Sequence, residues 1–214
     1  MVDRSVYHNY NKGRKKMKIQ KELIRSEDPA KERILKAAFK LFYSKGYPNT
    51  GINEILEEAG AFKKSLYIHF PSKKDLGKAY LLEQEEAILG FVKRIAKREK
   101  KYSDFIKSWM KMLRRGLKNT YVYGCPYANL SNQTHDEPEI SDFVKVALNR
   151  WVQDFENCLK EIAWNSKKAK TESELKDISE SILFYYQGAL QLYGMSGDFK
   201  HIHRLEKALL SLDK

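Results

Sequence analysis

Residues 63–70 read KKSLYIHF. Leu66 and Phe70 stand four apart, as they would to pack inward from one side of a helix. Lys63, Lys64, Ser65, Tyr67, Ile68 and His69 are left facing outward or at the edge. Ammonium, hydroxyl, phenol and imidazole groups donate well to phosphate oxygens and to acceptors on base edges. Lys73, just inside the next helix, can reach a phosphate beside that helix's N-terminus. The chemistry of this constellation is non-covalent recognition of a polyanion. Other chemistry finds little support. No nucleophile elbow or glycine-rich phosphate loop occurs in the chain. His201 and His203 are two apart on an expected helix and point to different sides, a poor chelate. No enzyme activity, cofactor or metal is expected.

The elements that must position these groups are helical. Asp28 is a plausible N-cap with Pro29 at the first helical position. Ile34, Leu35, Ala38, Phe39, Leu41 and Phe42 then form a wide apolar stripe that Gly46 stops. Thr50 is expected to cap a short helix burying Ile52, Ile55, Leu56 and Ala59, ended by Gly60. The helix over residues 63–70 follows, closed by Pro71, and Ser72 caps a long helix with Asp75 in its first turn. Two short helices joined by a glycine turn, the second exposed and basic, make a helix-turn-helix. Further helices are predicted over 73–98, 103–121, 127–133, 139–165, 172–195 and 199–212, with a break at 123–126 and a polar connection over 167–170. No strand ladder is legible, so the fold class is all-α.

The 214 residues suit one large domain or a small one joined to a larger, and 42% hydrophobic content is enough for a packed core. The formal net charge is +12. Residues 1–80 hold 18 Lys+Arg against 9 Asp+Glu, and the remainder 22 against 19, so the surplus lies toward one end. That distribution favours an anionic partner for the N-terminal part, nucleic acid or an acidic membrane. The basic arm, residues 1–28 with a helical stretch near 17–24, could follow phosphates or enter a minor groove. It lacks an apolar face strong enough to insert into a bilayer. Two cysteines are too few for a disulfide scaffold. With neither a secretory h-region nor a run of ~20 apolar residues, a cytoplasmic protein is expected.

Residues 31–76 resemble the DNA-binding domain of the TetR family of transcriptional regulators. The matching pieces are KERILKAAFKLFYSKGY, TGINEILEEAG and KKSLYIHFPSKKDL. The resemblance implies that Thr50, Lys63, Tyr67, His69 and Lys73 contact the backbone of a double-stranded DNA operator, with Lys64 and Ser65 near base edges. It also implies a helix-turn-helix domain over 29–72 and a helical ligand-binding and dimerisation domain over 73–214. Two positions depart from the family pattern. Phe62 stands where Ser or Pro is usual and Lys64 where Gly is usual, so an operator sequence cannot be carried over. The Gly124–Leu130 segment, the GINEILEEAGA wording and the Gln187–Leu190 run resemble the branch containing the lincomycin-resistance repressor.

In that family the last two long helices pair between subunits, which implies a homodimer and a palindromic operator. Leu175, Ile178, Ile182, Tyr186, Ala189 and Tyr193, with Ile202, Leu205 and Leu209, form the expected dimer stripes, and Gly188 would permit close approach. A pocket for an unknown small-molecule inducer is expected among Trp109, Met112, Tyr127, Asn129, Trp151, Phe155, Phe184 and Tyr185. The inducer would shift the long fourth helix and release repression. A second reading is a thiol or electrophile sensor at Cys125, set at a helix start where its pKa could fall.

Overall fold

The computed structural model describes residues 24–164 and 170–213. Residues 1–23 of the expected basic arm over 1–28, with nearly all of its expected helical stretch, and most of the polar connection over 167–170 lie outside the described residues. Among the described residues there are nine helices: α1 (Ala30–Lys45), α2 (Ile52–Ala59), α3 (Lys63–His69), α4 (Lys73–Arg98), α5 (Tyr102–Asn119), α6 (Pro126–Asn132), α7 (Pro138–Lys160), α8 (Glu172–Ser196) and α9 (Lys200–Ser211). No strand is formed among them, and none of these helices is long and apolar enough to cross a membrane.

The first three helices share a core of Ile34, Ala38, Phe42, Ile55, Leu66 and Phe70. Their ends are set by local chemistry. Gly60 ends α2 in the left-handed conformation (φ 56°), and the Ala61 N–H reaches back to the Leu56 carbonyl. Arg33 supports that end: its Nε donates to Ala59 O and its Nη2 to Gly60 O, both at 3.0 Å. Ser72 caps α4, its Oγ accepting from Asp75 N–H at 3.1 Å and donating to the Asp75 carboxylate at 2.7 Å.

Two expected caps are corrected. Pro29, not Asp28, occupies the N-cap of α1. The Asp28 carboxylate instead accepts from Lys36 Nζ at 2.8 Å and from Arg25 N–H at 3.3 Å. Gly51, not Thr50, is the N-cap of α2. The Thr50 hydroxyl donates to Gly46 O at 2.8 Å, and the residue is 1% exposed.

Helices α4–α9 enclose the larger part of the same core, in which Tyr102, Phe105, Trp109, Tyr127, Trp151 and Phe155 are among the bulkiest buried side chains, beside many aliphatic ones. Helix α7 was expected to run to residue 165; it ends at Lys160. The chain there turns to pair with the α4–α5 connection: Ala163 N–H donates to Lys100 O at 2.8 Å and Tyr102 N–H to Ala163 O at 3.0 Å. Trp164 stacks on Tyr102 at 4.5 Å. Helix α4 is fastened along α7 by ion pairs of Lys74 and Lys78 with Glu139, of Glu85 with Arg150 and of Lys93 with Asp154. The Glu85–Arg150 pair is bidentate, at 3.0 and 3.1 Å.

Helix α1 docks on the break before α6. Tyr43 Oη donates to Gly124 O and accepts from Tyr123 N–H, each at 2.8 Å. Tyr47 N–H donates to Gln133 Oε1, also at 2.8 Å. Phe39, Tyr43, Tyr80, Tyr121 and Tyr123 surround this contact, with ring centroids 5.4–6.5 Å apart along the cluster. The break itself lies hard against α8. A Cβ on Gly124 (φ 87°) would come within 2.6 Å of Leu190 O, and one on Gly194 within 2.5 Å of Tyr123 O. Two glycines thus let backbone meet backbone.

Candidate nucleic-acid interface

Helix α3 is held by two anchors. Leu66 is fully buried and Phe70 nearly so. Lys64 and Ile68 each lie two positions from Leu66, about 200° around the helix, on the side opposite the core. Lys63, Lys64, Tyr67, Ile68 and His69 are all exposed, and Ser65 is half-buried. The expected outward set, Ser65 apart, is thus exposed, spread around the sides of the helix away from Leu66. Phe62 occupies the N-cap with an extended backbone and no side-chain cap bond, as its chemistry requires.

Two further residues expected to contact DNA are less exposed than the α3 set. Thr50 is buried with its hydroxyl committed to Gly46, so its side chain is withdrawn from the surface. Lys73 is only partly exposed. Its Nζ lies 4.4 Å above the Tyr47 ring, in a cleft also lined by Pro48, Gln133 and Glu137. Burial lowers the Lys73 pKa, and the nearby Glu137 carboxylate opposes that shift. Ile68 was not among the expected site residues, although its place one turn after Lys64 was already fixed by helical spacing.

The expected dimer residues are, with one exception, interior. Leu175, Ile182, Tyr186, Ala189, Tyr193, Ile202, Leu205 and Leu209 are buried within the chain, and Ile178 is half-buried. Helix α9 packs on α5 and α8, and Tyr102 Oη donates to Leu209 O at 2.9 Å. The outward face of α8 carries Phe184, Tyr185, Gly188 and Leu192 instead, with Phe184 76% exposed. Phe184 and Tyr185 were expected to line a pocket; they face outward.

Of the other expected pocket residues, the four aromatics pack together in the core. Trp109, Tyr127, Trp151 and Phe155 are buried, and Met112 and Asn129 are half-buried. Trp109 contacts Phe155 at 5.3 Å and stacks on Tyr186 at 5.6 Å; Tyr127 meets Trp151 edge-on at 5.4 Å. Asn129 has a structural task, its Nδ2 donating to Tyr123 O at 2.9 Å. Tyr127 Oη, Trp151 Nε1 and Gln187 Oε1 are buried with no hydrogen-bond partner among the described residues. Buried polar atoms are rarely left so.

Cys125 is the N-cap of α6, as the spacing indicated, but it is fully buried. Burial raises its pKa; bonds from the Ala128 and Tyr127 backbone and the Gln187 side chain pull weakly the other way. A sensing thiol needs access and thiolate character. Cys125 has neither, and the thiol-sensor reading is withdrawn.

A short cationic helix, anchored by two residues and preceded by a helix and a left-handed glycine, defines a helix-turn-helix protein. Residues 34–80 match the family model described as "Bacterial regulatory proteins, tetR family". The HTH-type transcriptional regulator LmrA of Bacillus subtilis is 30% identical over 147 residues, covering 67% of this chain and 78% of that protein. An uncharacterized HTH-type transcriptional regulator of Lactococcus lactis is 35% identical over 108 residues, covering 47% of this chain and 52% of that one. The crystal structure of a TetR transcriptional regulator from Legionella pneumophila superposes with a TM-score of 0.72 over 89% of this chain and all of its own, at 19% identity, a likeness of fold. This chain belongs to the TetR family of DNA-binding transcriptional regulators.

Proposed function

We propose that the chain is a homodimeric repressor that holds a near-palindromic operator and leaves it when a small-molecule inducer binds the part of the chain over 73–214. The observation that carries this reading is the outward face of α3, where Lys63, Lys64, Tyr67, Ile68 and His69 are all exposed around two buried anchors. In the major groove, Lys63, Tyr67, His69 and Lys73 hold phosphates, while Lys64 and Ser65 meet base edges. The helix-turn-helix unit is residues 29–72.

The exposed stripe of Phe184, Tyr185, Gly188 and Leu192 supports the dimer. Gly188 has nothing within 4 Å of where its Cβ would stand, so a partner helix can approach closely there. The partnerless Tyr127 Oη, Trp151 Nε1 and Gln187 Oε1, set among aromatic rings, support an inducer site that supplies their missing bonds. Release requires that the inducer bind the DNA-free arrangement more tightly than the bound one.

The test is duplex selection with purified protein, followed by anisotropy titrations over a salt series and light scattering of the free protein. A dimer that selects a two-fold site with a steep salt slope is expected. A monomer, or a protein indifferent to duplex DNA at low salt, refutes the proposal.

A further inference from the structure

Before α4, every exposed large hydrophobic residue among the described residues lies on α3 or its cap: Phe62 at 83%, Tyr67 at 44% and Ile68 at 67%. Phe62 and Ile68 bury little in this chain, so packing does not account for their type. Phe62 also forgoes the side-chain cap that Ser, Thr, Asp or Asn would give α3. Their surroundings are cationic, with Lys63 and Lys64 between them in the sequence and His69 next to Ile68. That setting suits a polyanion and not an apolar protein surface. On the floor of the major groove the one apolar group displayed is the C5-methyl of thymine.

We propose that Ile68 and Phe62 read thymine methyl groups, so that the half-site carries thymines next to the base pair met by Lys64. Lys64 and Ile68 stand one turn apart on the side of α3 opposite Leu66, where both meet the groove floor together. Lys64 donates to guanine O6 or N7, the usual partner of a lysine ammonium in that groove. Specificity then comes from two apolar contacts added to the base-edge contacts of Lys64 and Ser65. This rests on the reading of α3 as the groove-entering helix, and the test separates the two.

Uracil differs from thymine only in lacking the methyl. With the full-length protein and a selected operator, each thymine is replaced by uracil in turn. At one or two positions per half-site, affinity is expected to fall about three- to fivefold, the effect of one buried methyl. Ile68→Ala, which removes the contact from both subunits, loses about the square of that factor on the thymine duplex and becomes indifferent to uracil at its own position. Phe62→Ala does the same at a different position. Lys64→Ala weakens binding but keeps its sensitivity to the methyls. A protein that binds a specific site yet tolerates uracil at every position overturns the methyl reading and leaves the helix-turn-helix reading intact. So does an Ile68→Ala, Phe62→Ala double variant with wild-type methyl sensitivity. Failure to select any duplex overturns both.

Discussion

Replacing Tyr43 with Phe removes one oxygen and leaves two backbone groups short of a partner. The hydroxyl donates to Gly124 O and accepts from Tyr123 N–H, each at 2.8 Å, and Gly124 belongs to the glycine pair that brings the break against α8. The ring contacts with Phe39, Tyr121 and Tyr123 survive the substitution, so the change isolates the hydrogen bonds. An orphaned buried group costs about 1–3 kcal/mol. Tyr123 is half-buried and its N–H can recruit water, which places that loss at the low end. The two together come to about 2–4 kcal/mol. Burial holds the Tyr43 pKa well above its ordinary 10, so the hydroxyl keeps its proton and the loss is the same across the physiological pH range. Urea unfolding at fixed protomer concentration measures it, because a dimer's apparent stability moves with concentration. Tyr80→Phe is the internal control. Its hydroxyl reaches Pro126 O at 3.4 Å, a weak bond, and its loss should cost under ~1 kcal/mol. A Tyr43→Phe protein within ~0.5 kcal/mol of wild type refutes the argument, as does a Tyr80→Phe protein equally destabilised.

Four other outcomes are expected. Phe184→Arg should give a well-folded monomer by light scattering with little operator affinity, whereas Ile182→Ala, in the interior, should stay dimeric and lose about 2–5 kcal/mol of stability. Tyr67→Ala and Lys73→Ala should both weaken operator binding, but only the lysine change should flatten the plot of log affinity against log salt, by about two units per dimer, one per subunit. The hydrogen bonds from Lys74 and Lys78 hold Glu139 below its ordinary 4.5, so its stabilising pairs are complete above that pH and are lost as pH falls through the lowered value. Acid unfolding of Glu139→Gln should therefore be shallower there, and coincident profiles would count against the α4–α7 fastening. Native protein should react slowly with thiol reagents, because Cys125 is fully buried and burial pushes Cys158 up to about 11; rapid modification of either would contradict the packing.

Helix existence was legible wherever a punctuating residue coincided with a change of period. Ser72 with Asp75, Gly60 and the Gly124–Pro126 break each mark an observed boundary. Thr171 and Glu174 form a full capping box, with reciprocal bonds of 3.2 and 2.7 Å, at the start of α8. Boundaries set by tertiary contacts were not legible. The apolar period of α7 runs on through Leu159 and Ile162, yet backbone pairing with Lys100–Tyr102 ends the helix first. Thr50 failed for a similar reason: a carbonyl four residues back competes for the same hydroxyl that a cap would use.

The exchanged roles on α8 have a deeper cause. Its interior stripe runs through Leu175, Ile182, Tyr186, Ala189 and Tyr193; its outward stripe runs through Phe184, Gly188 and Leu192. From Ile182 to Phe184, or Tyr186 to Gly188, is two residues, about 200° around the helix. Both stripes are apolar and both follow helical spacing, so hydrophobic periodicity establishes two faces that need cover without saying which one the chain covers itself. What separates them is packing that no single helix encodes. Tyr186 stacks on Trp109 of α5 and lies near Trp151 of α7, and Tyr193 Oη donates to Leu117 O at 3.1 Å. Gly194 fits the break at Tyr123 closely, while Gly188 meets open space. The glycine that admits this chain's own backbone and the glycine that faces open space read alike in sequence. They differ in which of two opposite faces the neighbouring elements reached first.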